Sequence, residues 1–290
     1  MRTVKNRART LGLVAALALG PSANAAPDTA AKARYSLVNP KPADQLREMS
    51  TDRPDATESP FTVDAGRFQV ELSFVDVSRD ALRDGGRLGR AAEVAPTLLK
   101  LGVLDNMDLQ LGIVPFAQTQ LTDEGTGDTS TRGGFGDATF RVKVNLWGND
   151  GGTTALAVMP FVKIPTAERG LGNGRVEGGL IVPFAVRLPH DLSLGFMPEF
   201  DVVEVDGSGR YSIDWVHTAT LGFPIAGELG GFVEFAGAAN LSREESYRRS
   251  FNAGLTYAQT PNVQFDGGIR VEATSTTDGW GAFFGVSWRH

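Results

Sequence analysis

The stretch that decides the fold is Gly66-Arg67-Phe68-Gln69-Val70-Glu71-Leu72-Ser73-Phe74. Phe68, Val70, Leu72 and Phe74 are apolar, and the residues between them, Gln69, Glu71 and Ser73, are polar. Successive side chains of a β-strand point to opposite faces, so this spacing is a strand between two different solvents. The question it poses is which solvent lies inside.

Downstream the alternation recurs. It predicts strands at 66–78, 90–104, 107–121, 134–148, 153–165, 175–188, 191–206, 209–224, 229–242, 245–258, 262–274 and 279–290, twelve in all. The links at 105–106, 148–152, 189–190, 225–228 and 259–261 are short and turn-like. Those at 79–89, 122–133 and 166–174 are longer and rich in charge, Gly and Thr. Short turns alternating with longer loops over an even strand count is the pattern of an outer-membrane barrel with both ends in the periplasm. The expected fold is all-β, a single transmembrane up-and-down antiparallel β-barrel of about 12 strands.

A soluble barrel would put the apolar face inside, but such barrels close with about eight strands. Twelve strands enclose more space than their own apolar side chains fill. The inverted arrangement fits better, with apolar residues against lipid and polar ones around water. Phe68, Phe223, Tyr257 and Trp288 near one set of strand ends, and Tyr211, Tyr247 and Trp280 near the other, read as interfacial girdles. Two segments fit less well. Leu98-Leu99-Lys100-Leu101 breaks the alternation, and residues 153–165 are apolar on both faces. Both predict a second face buried under an inward-folded segment.

Upstream, residues 1–25 read as a signal peptide to be cleaved. Arg2, Lys5, Arg7 and Arg9 form a basic start, Leu11 opens a short apolar run, and Ala23-Asn24-Ala25 is a small-x-small site. Residues 26–65 read as a periplasmic segment, and residues 66–290 as the barrel. Of 28 basic and 34 acidic residues, the leader holds four basic and no acidic ones, so the mature charge is −10. That balance argues against a nucleic-acid partner. There is no Cys, hence no disulfide or thiolate chemistry.

Just before the first strand lies Thr51-Asp52-Arg53-Pro54-Asp55-x-Thr57-x-Ser59-Pro60-x-x-Val63-x-x-Gly66-x-x-Gln69-x-Glu71. This motif resembles the outer-membrane barrels associated with meta-cleavage phenol degradation operons. The resemblance implies a twelve-stranded channel for small, often aromatic, molecules, located in the outer membrane. Outer-membrane lipid, the barrel-assembly machinery and a small-molecule solute are the expected partners.

Two groups of residues are candidates for function. Asp52, Arg53, Asp55 and Glu58 belong either to a strap that narrows the lumen or to a turn built by Asx and Pro chemistry. Alternation also places Glu71, Arg141, Lys143, Arg187, Glu199, Asp201, Arg248, Arg270 and Arg289 in the lumen. Arg175, Glu177, Asp214, Glu234, Asp266 and Glu272 join them. These charges make either a transverse field for polar solutes or a salt-bridge lattice that plugs the barrel. The strap charges are expected at or in the periplasmic mouth, paired with lumen residues such as Arg289. The competing class is a lipid-modifying enzyme. His190, His217 and His290 are the only histidines, and none precedes a Ser by two residues. Scattered His and absent Cys give no zinc site, and the acidic spacing is not a calcium loop, so no cofactor or metal is expected.

Overall fold

The computed structural model describes residues 35–290 apart from 83–86, 206–207, 243–246 and 274–276. The expected leader, residues 1–25, lies outside them. The strands are β1 (Phe68–Leu82), β2 (Arg87–Val94), β3 (Thr97–Leu104), β4 (Met107–Ile113), β5 (Phe116–Asp123), β6 (Thr129–Gly134), β7 (Ala138–Trp147) and β8 (Thr154–Ile164). They continue as β9 (Glu177–Ile181), β10 (Phe184–Arg187), β11 (Ser193–Glu204), β12 (Tyr211–Ala226), β13 (Leu229–Asn240), β14 (Arg248–Thr260), β15 (Val263–Ala273) and β16 (Thr277–Arg289).

Four wall strands run in two pieces each, namely β2 with β3, β4 with β5, β6 with β7 and β9 with β10. The wall is therefore twelve-stranded. It is antiparallel and closes where β16 meets β1, with Gln69 opposite Arg289 and Val70 opposite Trp288. Closure removes the unpaired strand edges whose N–H and C=O groups lipid cannot satisfy.

The splits fall at residues that interrupt a ladder. Ala95-Pro96, Val114-Pro115 and Val182-Pro183 lack a ladder N–H at proline, and Gly136 lies between β6 and β7. Three of these splits are neighbours across the wall. Thr97 pairs with Ile113 below the break and Val94 with Phe116 above it, while Gly136 N–H donates to the Val114 carbonyl at 2.9 Å. A register shift between Ser73 and Val75 puts a bulge in β1 beside them. The wall is thus creased along one line across four barrel strands.

Two links expected as loops are strand instead. In 79–89, β1 continues to Leu82 and β2 begins at Arg87; in 122–133, β5 reaches Asp123 and β6 begins at Thr129. Thr129, Ser130, Thr131 and Arg132 are all exposed, while Gln120 pairs with Thr131 in register. Where both faces are wet the polarity alternation vanishes, although backbone pairing continues.

The inside-out arrangement is plain. Phe68, Leu99, Leu111, Phe140, Phe200, Phe251, Phe284 and Trp288 are exposed on the outer face. Gln69, Glu71, Ser73, Lys100, Asp108, Gln110, Lys143, Asn145, Asp266 and Ser287 are buried inside. In the stretch with broken alternation, Lys100 points inward and Leu99 outward, so parity holds there after all. Buried charges of this kind are tolerated only when paired. Their partners come from the segment before β1.

Candidate functional site: a strap inside the barrel

Residues 50–66 turn back through the lumen before β1 begins. The segment, read from sequence as a strap at or in the mouth of the barrel or as a capped turn, crosses inside the barrel from one wall to the other. On the near side, Asp52 sits between two lysines. Its carboxylate lies 2.6 Å from Lys143 Nζ and 2.5 Å from Lys100 Nζ. Lys100 also pairs with Glu71, which accepts the Asp52 N–H at 3.0 Å. Asp52 in turn accepts the Ser59 N–H at 2.9 Å, tying the two limbs of the strap together. Burial alone would raise the Asp52 carboxyl, but Lys100 and Lys143 hold it well below the usual carboxylate range.

On the far side, Arg53 grips Asp266 of β15 in a two-pronged pair. Its Nη2 lies 2.5 Å and its Nε 3.2 Å from the two carboxylate oxygens. Its other nitrogen donates to Ser73, and its guanidinium lies 5.9 Å from the centre of the Phe283 ring. At the apex the Ala56 and Thr57 N–H groups donate to Glu234 of β13 at 2.9 and 2.7 Å. Thr57 Oγ1 also meets Glu234 and Thr218, and Asn252 caps the other Glu234 oxygen. Asp55 lies beside Thr220, the cross-strand partner of Glu234. Its own burial first, and then the Glu234 charge, push its carboxyl up to about 8.

The returning limb is held in the same way. Glu58 pairs with Arg141 at 2.5 Å, and Asn145 donates to the Pro60 carbonyl at 2.9 Å. Asn149 and Asp108 accept the Thr62 and Val63 N–H groups. At the root, Asp64 gathers Arg47 at 2.7 Å, Lys41 at 3.1 Å and Arg289 at 3.5 Å. Gly102 is required here, because a Cβ would overlap the Asp64 carbonyl oxygen. Gly66 turns the chain into β1 with φ of 75°, a left-handed conformation that suits glycine.

One wall facing the strap is apolar. Met159, Ile181 and Met197 form a buried cluster with Phe161 against it. The Glu58 N–H points at Met197 Sδ, 3.2 Å away. Ala155 and Ala157 are buried in the same wall. This is the doubly apolar segment 153–165, whose inner face the strap and its neighbours cover.

Among the residues expected in the lumen, Asp52, Arg53, Glu58, Glu71, Arg141 and Lys143 come together in this network, with Asp266 and Glu234. Glu199 and Asp201 stand two residues apart on β11, on the same face as Met197. Arg270 pairs with Asp76, and Glu177 with Lys163 at 2.7 Å. Arg248 lies 3.5 Å from Asp214 and is largely exposed at the far rim. Arg187 lines a 430 Å³ cavity at the near mouth with Arg47, Phe61 and Asn149. One expected pairing is corrected. Arg289 meets Asp64, rather than the charges at 52–58, because it stands on the last strand beside the strap's root.

Lys100, Gln69, Gln110, Asp108, Asn145 and Asn149 were not anticipated. Alternation does place Gln69, Asp108, Gln110 and Asn145 on the polar, inward face, although none of them was singled out as a candidate. The histidines do not form a nucleophile relay. His217 bonds Tyr247 at 2.6 Å on the outer face, and His290 packs 5.3 Å from Phe68. Among the described residues no cluster of His, Cys, Asp or Glu could hold a metal ion.

Solved structures share the architecture. An outer membrane channel from Pseudomonas putida F1 superposes with a TM-score of 0.58 at 10% identity, covering 83% of this chain and 100% of that one. The translocator domain of the autotransporter NalP from Neisseria meningitidis gives 0.50 at 10% identity, covering 86% and 92%. No curated protein matches the sequence. The barrel is thus of the outer-membrane kind. A family described as "putative MetA-pathway of phenol degradation" matches residues 51–290, the strap together with the whole wall, and the chain belongs to it.

Proposed function

We propose that the protein is an outer-membrane channel for small, weakly polar or aromatic solutes, with its short turns in the periplasm and residues 50–60 as its constriction. The observation that carries this reading is the asymmetry around the strap. One side is a lattice of charge centred on Asp52, Lys100 and Lys143. The other is the thioether and aromatic wall of Met159, Met197 and Phe161. A solute with a flat apolar body and a polar edge finds a partner on each side, since sulfur and ring edges favour aromatic contact. The P. putida structure above is itself named an outer membrane channel, which agrees with a transport reading.

The density of bonds holding the strap favours a second reading, a plugged barrel whose lattice only braces the wall. Liposome swelling with the purified barrel separates the two. Swelling in small aromatic alcohols supports transport. No uptake by either the intact barrel or one lacking residues 50–60 leaves the structural barrel.

A further inference from the structure

The outer face carries a site unrelated to the strap. Three successive rows of side chains cross β16, β1, β2 and β5 in register. The first is Phe284, Val75, Val94 and Phe116. The second is Ala282, Val77, Ala92 and Gln118. The third is Trp280, Arg79, Arg90 and Gln120. All three face outward, because the positions between them, Asp76, Glu93 and Arg270, interact with one another inside the barrel. Polarity thus climbs from wholly apolar to cationic over two rungs, roughly 13 Å of strand. That is the gradient from acyl chain to headgroup, and an exposed Trp280 marks the same level.

Arg79 and Arg90 are direct cross-strand partners, both exposed. Like charges directly opposite each other in a sheet repel and destabilise the pair. Among the described residues neither guanidinium has a carboxylate partner. Ser78, Gln118, Gln120 and Trp280 complete a concavity of about 630 Å³ around them, just beyond the crease in the wall. Two guanidiniums side by side, flanked by amide donors and an indole, are built for a phosphate group.

We propose that this concavity binds the phosphorylated headgroup of an outer-leaflet glycolipid, with Arg79 and Arg90 on its phosphate, Gln118 and Gln120 on its sugar edge, and its acyl chains along Val77, Val75 and Phe284. The apolar rows directly beneath the arginines favour a lipid over a free ion, since an ion needs no such approach. The inference rests on the orientation proposed above but not on conduction through the lumen.

The test titrates the full-length barrel in dodecyl maltoside with diphosphoryl lipid A and counts bound lipid by native mass spectrometry. Each arginine replaced by Gln should weaken retention about fivefold, and the double variant Arg79→Gln/Arg90→Gln about thirtyfold. Gln120→Glu should weaken it too while raising thermal stability, because the new carboxylate neutralises the pair from within. Misfolding cannot produce that combination, so this variant decides the matter if the double variant does not assemble. Equal retention by wild type and variants overturns the proposal. Displacement of the lipid by millimolar inorganic phosphate, or equal binding of dephosphorylated lipid A, overturns the assignment to a lipid phosphate.

Discussion

Lys143 reaches Asp52 across the lumen at 2.6 Å, and neither side chain keeps more than a trace of exposed surface. The lysine stands on the wall and the aspartate on the strap, so the contact seats one on the other. Replacing Lys143 leaves Asp52 with Lys100 alone, an ammonium that Glu71 already shares, so part of the about 3–5 kcal/mol cost of breaking a buried pair is expected. Lys143→Met should therefore unseat the near limb of the strap. Planar-bilayer recordings should show higher single-channel conductance than wild type, with normal heat-modifiable gel mobility. Unchanged conductance would mean that Lys100 alone holds the strap.

Arg53 offers a finer probe. Its fork spans both oxygens of Asp266, a geometry that an ammonium cannot copy. Arg53→Lys should raise conductance part of the way toward the barrel lacking residues 50–60, and Arg53→Ala further. Equal values for the two variants would show that charge, not the fork, is what matters.

Acidity should tighten the strap. Burial and Glu234 lift the folded Asp55 carboxyl to about 8, so the seated strap binds this proton more tightly than a released one. The stabilisation is complete below the ordinary carboxylate range near 4 and is lost progressively as pH rises through about 8. Glu58 and Glu234 face the same group and remain in the variant. Conductance should rise between pH 5 and 8 in wild type, and Asp55→Asn should flatten that rise. A rise of undiminished size in Asp55→Asn would assign it to Glu58, whose carboxyl burial also pushes up.

Neighbouring residues on β4 should respond in opposite ways. Leu111 is exposed on the outer face, and Leu111→Arg should impair assembly by roughly 2–4 kcal/mol if it lies near the bilayer midplane. Gln110 points inward, donating to Asp108 at 2.9 Å and Asp52 at 3.4 Å. Gln110→Arg should assemble, yet it crowds Lys100 and Lys143 and so should raise conductance. Equal recovery of both variants in outer-membrane fractions would invert the faces of this strand.

The last strand closes the wall. His290 N–H donates to the Phe68 carbonyl at 2.9 Å, and Phe68 packs edge-on against Trp288 at 5.3 Å. Deleting residues 287–290 should abolish assembly, whereas His290→Phe should be neutral or favourable, because the ring contact with Phe68 survives. Normal insertion of the truncated chain would show that β1 and β16 close without these rungs.

The wall was legible in the sequence because lipid and water impose a period of two on every strand between them. Phe140, Val142 and Val144 against Arg141, Lys143 and Asn145 are enough to assign both faces. The signal fails where that contrast fails. Thr129 to Arg132 is wet on both faces and reads as loop, though it is paired strand. The strap was legible as a motif but not as a fitted part. Asp52 meets Lys143 from 91 positions away and Thr57 meets Glu234 from 177. No local spacing encodes such pairings, and Asp64, the hub at the root, lies in no strand at all.

Asp64 touches Arg47 before the wall and Arg289 at its end, and Arg289 arrives only when β16 reaches β1. Zipping the cylinder shut therefore brings the last cation to the root of its stopper. A cylinder that has not yet zipped lacks Arg289 at the root, where Lys41 and Arg47 alone then hold Asp64. Variants that close the seam slowly should therefore announce themselves by sensitising the cell to antibiotics too large for the finished pore.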